Sequence, residues 1–344
     1  MTLPRPSRPG RRAAVAGALA GLGLAACSGG GPGGSGASSA PPERTGAEPA
    51  DAPTPSVEPA GRVADVGYAP EGLVRDPATG LLALGVRRPD RLLVLDPRTL
   101  AVRRSVPVPG SVRHLGLATG GGTVLVPNEG DDTLLEVDVR TGATRSTAVG
   151  HVPHDAAGAA DGDLLVADEF SGSLSVVREG RVVHTFDDLA QPGGVVAVGR
   201  FAVVVDVRDW TLTSYDLDTL RRVARVPAGD GPTHAVLAAP GRVAVADTRG
   251  GRLLVFDVDP LRQVAALDLG DSPYGLAADP DAATVWVTRT AANEVVGVDV
   301  GGDTPRVLDR YPTVRQPNTV AVAPGSRVLW VASRTDGVLQ RIAR

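Results

Sequence analysis

The 344-residue sequence contains no lysine and one cysteine, and aromatic residues make up only 3% of it. A single cysteine excludes any internal disulfide. Because it stands at position 27, it also leaves the rest of the chain without a thiol nucleophile. With 42% hydrophobic residues and few aromatics, the core has to be built from Val, Leu and Ala. All 35 basic residues are arginine, a bias that carries no functional content. Formal net charge is −4, and the first 26 residues carry four Arg and no acid, which leaves −8 on the remainder. An acidic body without a basic stripe argues against a nucleic-acid partner. No G-x-S-x-G elbow, Gly-rich phosphate loop or H-E-x-x-H pair occurs in the sequence.

What is there begins with an address. Arg5, Arg8, Arg11 and Arg12 form a positive stretch ahead of the apolar run AAVAGALAGLGLAA, residues 13–26. That run is shorter than the roughly 20 apolar residues a membrane-spanning helix needs. It ends in Leu24-Ala25-Ala26-Cys27, which resembles a bacterial lipobox. The resemblance implies removal of residues 1–26 as a lipoprotein signal peptide and a diacylglycerol thioether on Cys27. The protein is then expected on the extracytoplasmic side of the cell membrane, held there by its lipid. Arg11-Arg12 suggests a twin-arginine signal, but the following residues match one poorly, and a charged leader is the simpler account. Residues 28–60 are rich in Gly, Ser and Pro with little that could pack, so 27–60 is expected to be a lipidated, disordered tether.

From residue 61 the chain repeats. Aligning on Pro70, Val112, Pro153, Pro192, Pro232, Pro273 and Pro317 gives intervals of 42, 41, 39, 40, 41 and 44 residues. Each interval reads as four short strands separated by turns, as in HAVLA, RVAVAD, RLLVFDV and RQVAALDLG, with no helical period between them. Such a unit is a propeller blade. The last unit stops after its third strand, and GRVADVGYAP (61–70) resembles a fourth strand running into the repeat. The expectation is therefore all-β: one domain, 61–344, a seven-bladed β-propeller of four-stranded blades, closed by the N-terminal strand completing the last blade.

The stretches PYGLAADPDAATVWVTRTAANEVVGVDV and PTHAVLAAPGRVAVADTRGGRLLVFDV resemble the YVTN repeat of YncE-like seven-bladed propellers. The resemblance runs over 61–344 and implies the propeller fold. It leaves function open, because similar propellers include surface and scaffold proteins, lactonases and subunits of quinoprotein dehydrogenases.

The repeat also sorts the polar residues. Asp96, Asp138, Asp216, Asp257 and Asp299 end third strands once per blade, so they are expected to make turns rather than chemistry. Two rings follow the aligned position. The first is Glu71, Arg113, His154, Gly193, Thr233, Tyr274 and Asn318; the second is Gly72, His114, Asp155, Gly194, His234, Gly275 and Thr319. Glycine at the second ring is expected to let the backbone turn tightly into the inner strand. His114, Asp155 and His234 depart from it and, with His154, are the candidates for a site at the channel mouth. Loops between second and third strands add an acidic rim that includes Glu129, Asp168 and Glu169. Two His and a carboxylate suit a divalent metal, and His114, Asp155 and His234 could share one only across a narrow channel. His114, His154 and Glu129, on neighbouring blades, are an easier alternative set. His151 reads as an ordinary loop residue.

Two functions remain. The first is a lipid-anchored, monomeric binding or scaffold module that takes a protein or an envelope carbohydrate at the mouth without chemistry. The second is a metal-assisted hydrolase or lyase of lactonase type, or a subunit of an extracytoplasmic dehydrogenase, with its site over blades 2, 3 and 5. The first is preferred, because no catalytic motif accompanies the repeat.

Overall fold

The computed structural model describes residues 45–326 and 328–343. They form seven four-stranded antiparallel sheets in a ring, a seven-bladed β-propeller. Cys27 and residues 1–26, expected to be a signal peptide, lie outside the described residues. In five blades the inner strand begins at the aligned proline: Pro153–Gly158, Pro192–Val198, Pro232–Ala239, Pro273–Asp279 and Pro317–Val322. Proline suits the first residue of a strand, where no ladder donor is required.

The core explains why the second and third strands are buried on both faces. Side chains of successive strand residues point to opposite faces. In blade 4, Val203, Val205 and Leu212 pack against Val243, Val245 and Phe256 of blade 5. Ala202, Val204 and Tyr215 of the same blade pack against Leu165, Ala167 and Phe186 of blade 3. Each of the seven blade-to-blade interfaces holds one such apolar cluster. Every blade therefore needs both neighbours, and only a closed ring satisfies all seven.

Closure occurs where it was expected. Strand Arg62–Asp65 pairs antiparallel with Val338–Ala343, in the register Arg62↔Arg341 to Asp65↔Val338. It is the outer strand of a sheet whose other members are Val328–Ser333 and Pro317–Val322. Gln340, fully buried, bolts the join. Its Nε2 donates to Ala60 O at 2.7 Å and Pro312 O at 3.1 Å, and its Oε1 accepts from Val314 N at 3.0 Å.

Two expectations require correction. Residues 45–53 and Ala60 belong to the stretch read as a disordered tether, yet they are held against the propeller by hydrogen bonds. Low apolar content hid this, because polar side chains of the propeller hold the segment by its backbone. The ring glycines also have a different cause. Gly72, Gly194 and Gly275 do not adopt positive φ. Instead, a Cβ on Gly72 would meet Leu115 N at 2.9 Å, and one on Gly275 would meet Asn318 O at 2.6 Å. Close approach of the next blade's inner strand, not a tight turn, demands glycine there.

Four of the five third-strand aspartates are turn-makers, as expected, Asp299 accepting from Gly301 N, whereas Asp257 pairs with the Arg242 and Arg262 side chains. Asp96 accepts from the N–H groups of Arg98 and Thr99, Asp138 from Arg140 and Thr141, and Asp216 from Asp218 and Thr219.

Candidate functional site

The two rings counted from the repeat converge on one mouth of the central channel. Glu71, His154, Thr233, Tyr274 and Asn318 of the first ring are buried there. Below them, His114 and His234 of the second ring reach into a channel of about 630 Å³. Its walls are the inner strands, with Leu73, Val195, Leu237 and Leu276 among their apolar residues.

Across this channel His114 Nε2 lies 3.2 Å from His234 Nε2. The channel is thus narrow enough for blades 2 and 5 to touch. His234 Nδ1 faces the Tyr274 carbonyl at 3.2 Å. A carbonyl can only accept, so Nδ1 carries the hydrogen, and Nε2 of the neutral ring is bare. The His154 ring completes the group, its centroid 4.7 Å from that of His114. His154 Nδ1 is 3.0 Å from Glu169 Oε2 and 3.3 Å from Glu129 Oε1. Gln191 Nε2 donates to Glu169 Oε1 at 2.6 Å, and Arg87 approaches Glu129 at 3.4 Å.

The three imidazoles differ sharply in charge. Burial alone would depress His154, but the contacts with Glu129 and Glu169 outweigh it and raise its pKa to about 9. Burial and the charge of His154 push His234 down to about 3, against the opposing Tyr274 carbonyl. His114 is likewise held well below its ordinary value by burial, then by His234 and His154. At neutral pH the cluster therefore holds one imidazolium between two carboxylates, beside two neutral rings. Burial also raises Glu71, against Arg334, Arg87 and Arg113. The Arg334 Nε is 3.0 Å from its carboxylate.

The structure separates the remaining candidates. Asp155 lines the channel with His114 and His234, but backbone groups engage its carboxylate. Its Oδ1 accepts from Ala156 N at 2.9 Å and its Oδ2 from Val195 N at 3.0 Å, so it ties blade 3 to blade 4. Burial raises its pKa to about 6, partly offset by the Val195 N–H. Asp168 is not on the rim either. It is fully buried and accepts from Ser173 and Ser175 hydroxyls. Asp206 and Asp247 occupy the same strand end in blades 4 and 5 and clip the neighbouring loop by accepting from Ala190 N and Asp230 N. Recurrence at one strand end marks structural work. His151 is an exposed loop residue, its Nδ1 3.0 Å from Asp132 Oδ1.

A strap crosses the mouth above the histidines. Arg249 and the Trp210 indole N–H donate to the Thr45 carbonyl at 3.1 and 3.2 Å. Ser272 Oγ accepts from Ala50 N at 3.0 Å. Buried Gln316 reads two peptide groups at once: its Nε2 donates to Ala50 O at 2.9 Å and its Oε1 accepts from Ala52 N at 2.6 Å. Arg315 donates to Ala52 O and Asn293 to Pro53 O. Glu48 forms a side-chain ion pair with Arg113, 3.4 Å away. Gln316 and Asn293 were not singled out from the sequence, since their partners belong to a stretch with no pattern of its own.

No family model matches the sequence, and no curated protein does. Solved structures do match. A chain of Kuenenia stuttgartiensis hydrazine synthase superposes with a TM-score of 0.70 at 16% identity, over 80% of this chain and 96% of that one. U3-55K gives a TM-score of 0.73 at 13% identity, over 83% and 100%. Virginiamycin B lyase from Staphylococcus aureus gives 0.70 at 10% identity, over 82% and 99%. At such identities the likeness is one of fold, and the fold this chain shares with them is the seven-bladed propeller.

Proposed function

We propose that the chain is a YVTN-like lipoprotein, anchored by Cys27 on the extracytoplasmic side of the membrane, and that it acts as a non-enzymatic binding module. Its ligand is an extended, proline-containing peptide segment of a protein, bound across the channel mouth. The observation that carries this reading is Gln316, a buried side-chain amide that donates to one strap carbonyl and accepts from the N–H two residues on. Together with Ser272, Asn293 and Arg315 it holds backbone rather than side chains. Backbone capture suits varied peptide sequences, with residues such as Arg113 adding a preference for acids.

Trp210 supplies the assay. The full chain with residues 45–53 replaced by a Gly/Ser run is titrated with a synthetic peptide of sequence TGAEPADAP, following tryptophan fluorescence. Saturable binding is expected, greatly weakened in the unaltered chain and on adding Gln316→Ala. A replaced chain that melts normally but shows no saturable binding sinks the peptide reading. For the anchor, Cys27→Ser is expected to release the protein from the membrane fraction; retention there would refute lipid attachment.

A metal-assisted hydrolase or lyase is the second reading, favoured by one observation: three imidazoles converge at the end of an apolar channel.

A further inference from the structure

We propose that His114, His154 and His234 form a binding site for one divalent transition ion of the zinc class. The site lies beneath the strap and does not depend on the peptide reading, since none of the three histidines contributes a strap hydrogen bond.

The geometry is already close to what an ion requires. Tetrahedral zinc with nitrogen bonds of about 2.0–2.1 Å places two ligand nitrogens about 3.3 Å apart. His114 Nε2 and His234 Nε2 stand at 3.2 Å although 120 residues separate them in sequence. One ring nitrogen from each of the three histidines lies within 4.8 Å of the others. Bringing the third ligand to bonding distance takes a movement of His154 on the order of 1 Å. His154 and His234 project from the start of inner strands and His114 from two residues ahead of the inner strand Gly116–Leu117, so blade packing fixes their origins.

The surroundings orient the ligands as metal sites do. A ligating histidine generally engages its other nitrogen with a carboxylate or a carbonyl. His154 offers Nδ1 to Glu169 and Glu129, so an ion at Nε2 displaces the proton that the imidazolium carries there, which is released to solvent. His234 offers Nδ1 to the Tyr274 carbonyl, which leaves a bare Nε2. His114 then carries the one hydrogen between the facing Nε2 atoms. An ion takes that hydrogen's place, and the proton moves to His114 Nδ1. The donors are nitrogens, and a set of imidazoles suits zinc, copper or nickel rather than magnesium or calcium, which take oxygen ligands.

The test uses the purified full chain, stripped with chelator and titrated with ZnCl₂, CoCl₂ and, separately, MgCl₂. One zinc per chain is expected by elemental analysis after desalting. Cobalt is expected to give the visible absorption bands of a low-coordinate nitrogen site, and magnesium no retention. His234→Gln and His114→Gln, which keep most of the side-chain volume, are expected to weaken zinc binding at least a hundredfold. Glu169→Gln is expected to weaken it by about 10–100-fold. If the unaltered, folded chain retains no zinc and gives no cobalt spectrum, the proposal is overturned. Stoichiometric zinc that persists undiminished in both histidine variants overturns it equally, by placing the ion elsewhere. Should either variant fail to fold, the cobalt titration of the unaltered chain still decides. Peptide binding measured in the same stripped protein reports the other reading separately.

Discussion

His154 and Glu169 form the charged half of the mouth, with Nδ1 and Oε2 3.0 Å apart and both side chains almost closed off from solvent. The neutral half is the facing pair His114 and His234. One cation among three imidazoles is the arrangement that burial permits, since a second positive ring would face the first without a counter-ion.

That asymmetry gives a pH dependence with a definite sign. The pKa of folded His154 is about 9, above the ordinary value of 6.5. Its contribution to stability is fully present below pH 6.5 and is lost as pH rises through 9. Comparing the unaltered chain with His154→Gln isolates it from the other titrating groups. The stability difference between the two is expected to shrink by a few kcal/mol in order of magnitude between pH 6.5 and 9.5. Urea unfolding at a series of pH values checks this, and a difference that stays flat would contradict the Glu129–His154–Glu169 pairing.

Much of this was legible in the sequence, for a physical reason. A blade is an autonomous pattern, so the spacing of Pro153, Pro192, Pro232, Pro273 and Pro317 predicts every inner strand they begin. Counting outward from those positions puts His114 and His234 on one ring and His154 on the other. Two things do not follow from counting. Asp155 shares the ring with His114, but the N–H of Val195 on the next blade captures its carboxylate. The strap is invisible because its binding information resides in Gln316 and Asn293, not in residues 45–53 themselves.

Ring closure rests on a few strand pairs and one amide. Replacing Gln340 by Ala leaves the Ala60 and Pro312 carbonyls and the Val314 N–H without that buried partner. A loss of about 2–4 kcal/mol is expected, from several unsatisfied buried groups at about 1–3 kcal/mol each with partial relief by water. Deleting residues 61–68 removes the outer strand of blade 7 altogether. A single melting transition at lower temperature is expected for the whole domain, because every blade interface depends on the ring. Unchanged calorimetric curves for the deletion would refute closure by this strand.

Two glycines separate close approach from backbone freedom. Gly275→Ala puts a Cβ 2.6 Å from Asn318 O, a backbone atom of the adjoining inner strand. Overpacking of this kind costs about 1–3 kcal/mol, and the strand has little room to yield. A Cβ on Gly302 would meet nothing within 4 Å, and its φ is not positive. Gly302→Ala is therefore expected to leave stability within about 0.5 kcal/mol or raise it slightly. Thermal melts of the two variants side by side check the contrast, and equal effects would remove the case for blade contact at the ring.

The strap's hold divides unequally between its partners, and hydrogen exchange reads the division residue by residue. Ala52 N–H donates to Gln316 Oε1 at 2.6 Å, with Ala52 itself 3% exposed. Ala50 N–H donates to Ser272 Oγ at 3.0 Å. The Glu48–Arg113 pair is 3.4 Å apart, and the Glu48 side chain is two-thirds exposed. An exposed pair of that kind contributes about 0–1 kcal/mol, whereas a buried amide that satisfies two peptide groups contributes more. Gln316→Ala is therefore expected to speed exchange at Ala52 at least tenfold and, by freeing the strap, at Ala50 as well. Glu48→Gln is expected to change both by less than about threefold, and raising the salt concentration to do no more. Protection that survives Gln316→Ala but collapses in Glu48→Gln would mean that charge, not backbone capture, fastens the strap, and the peptide reading of the mouth would lose its basis.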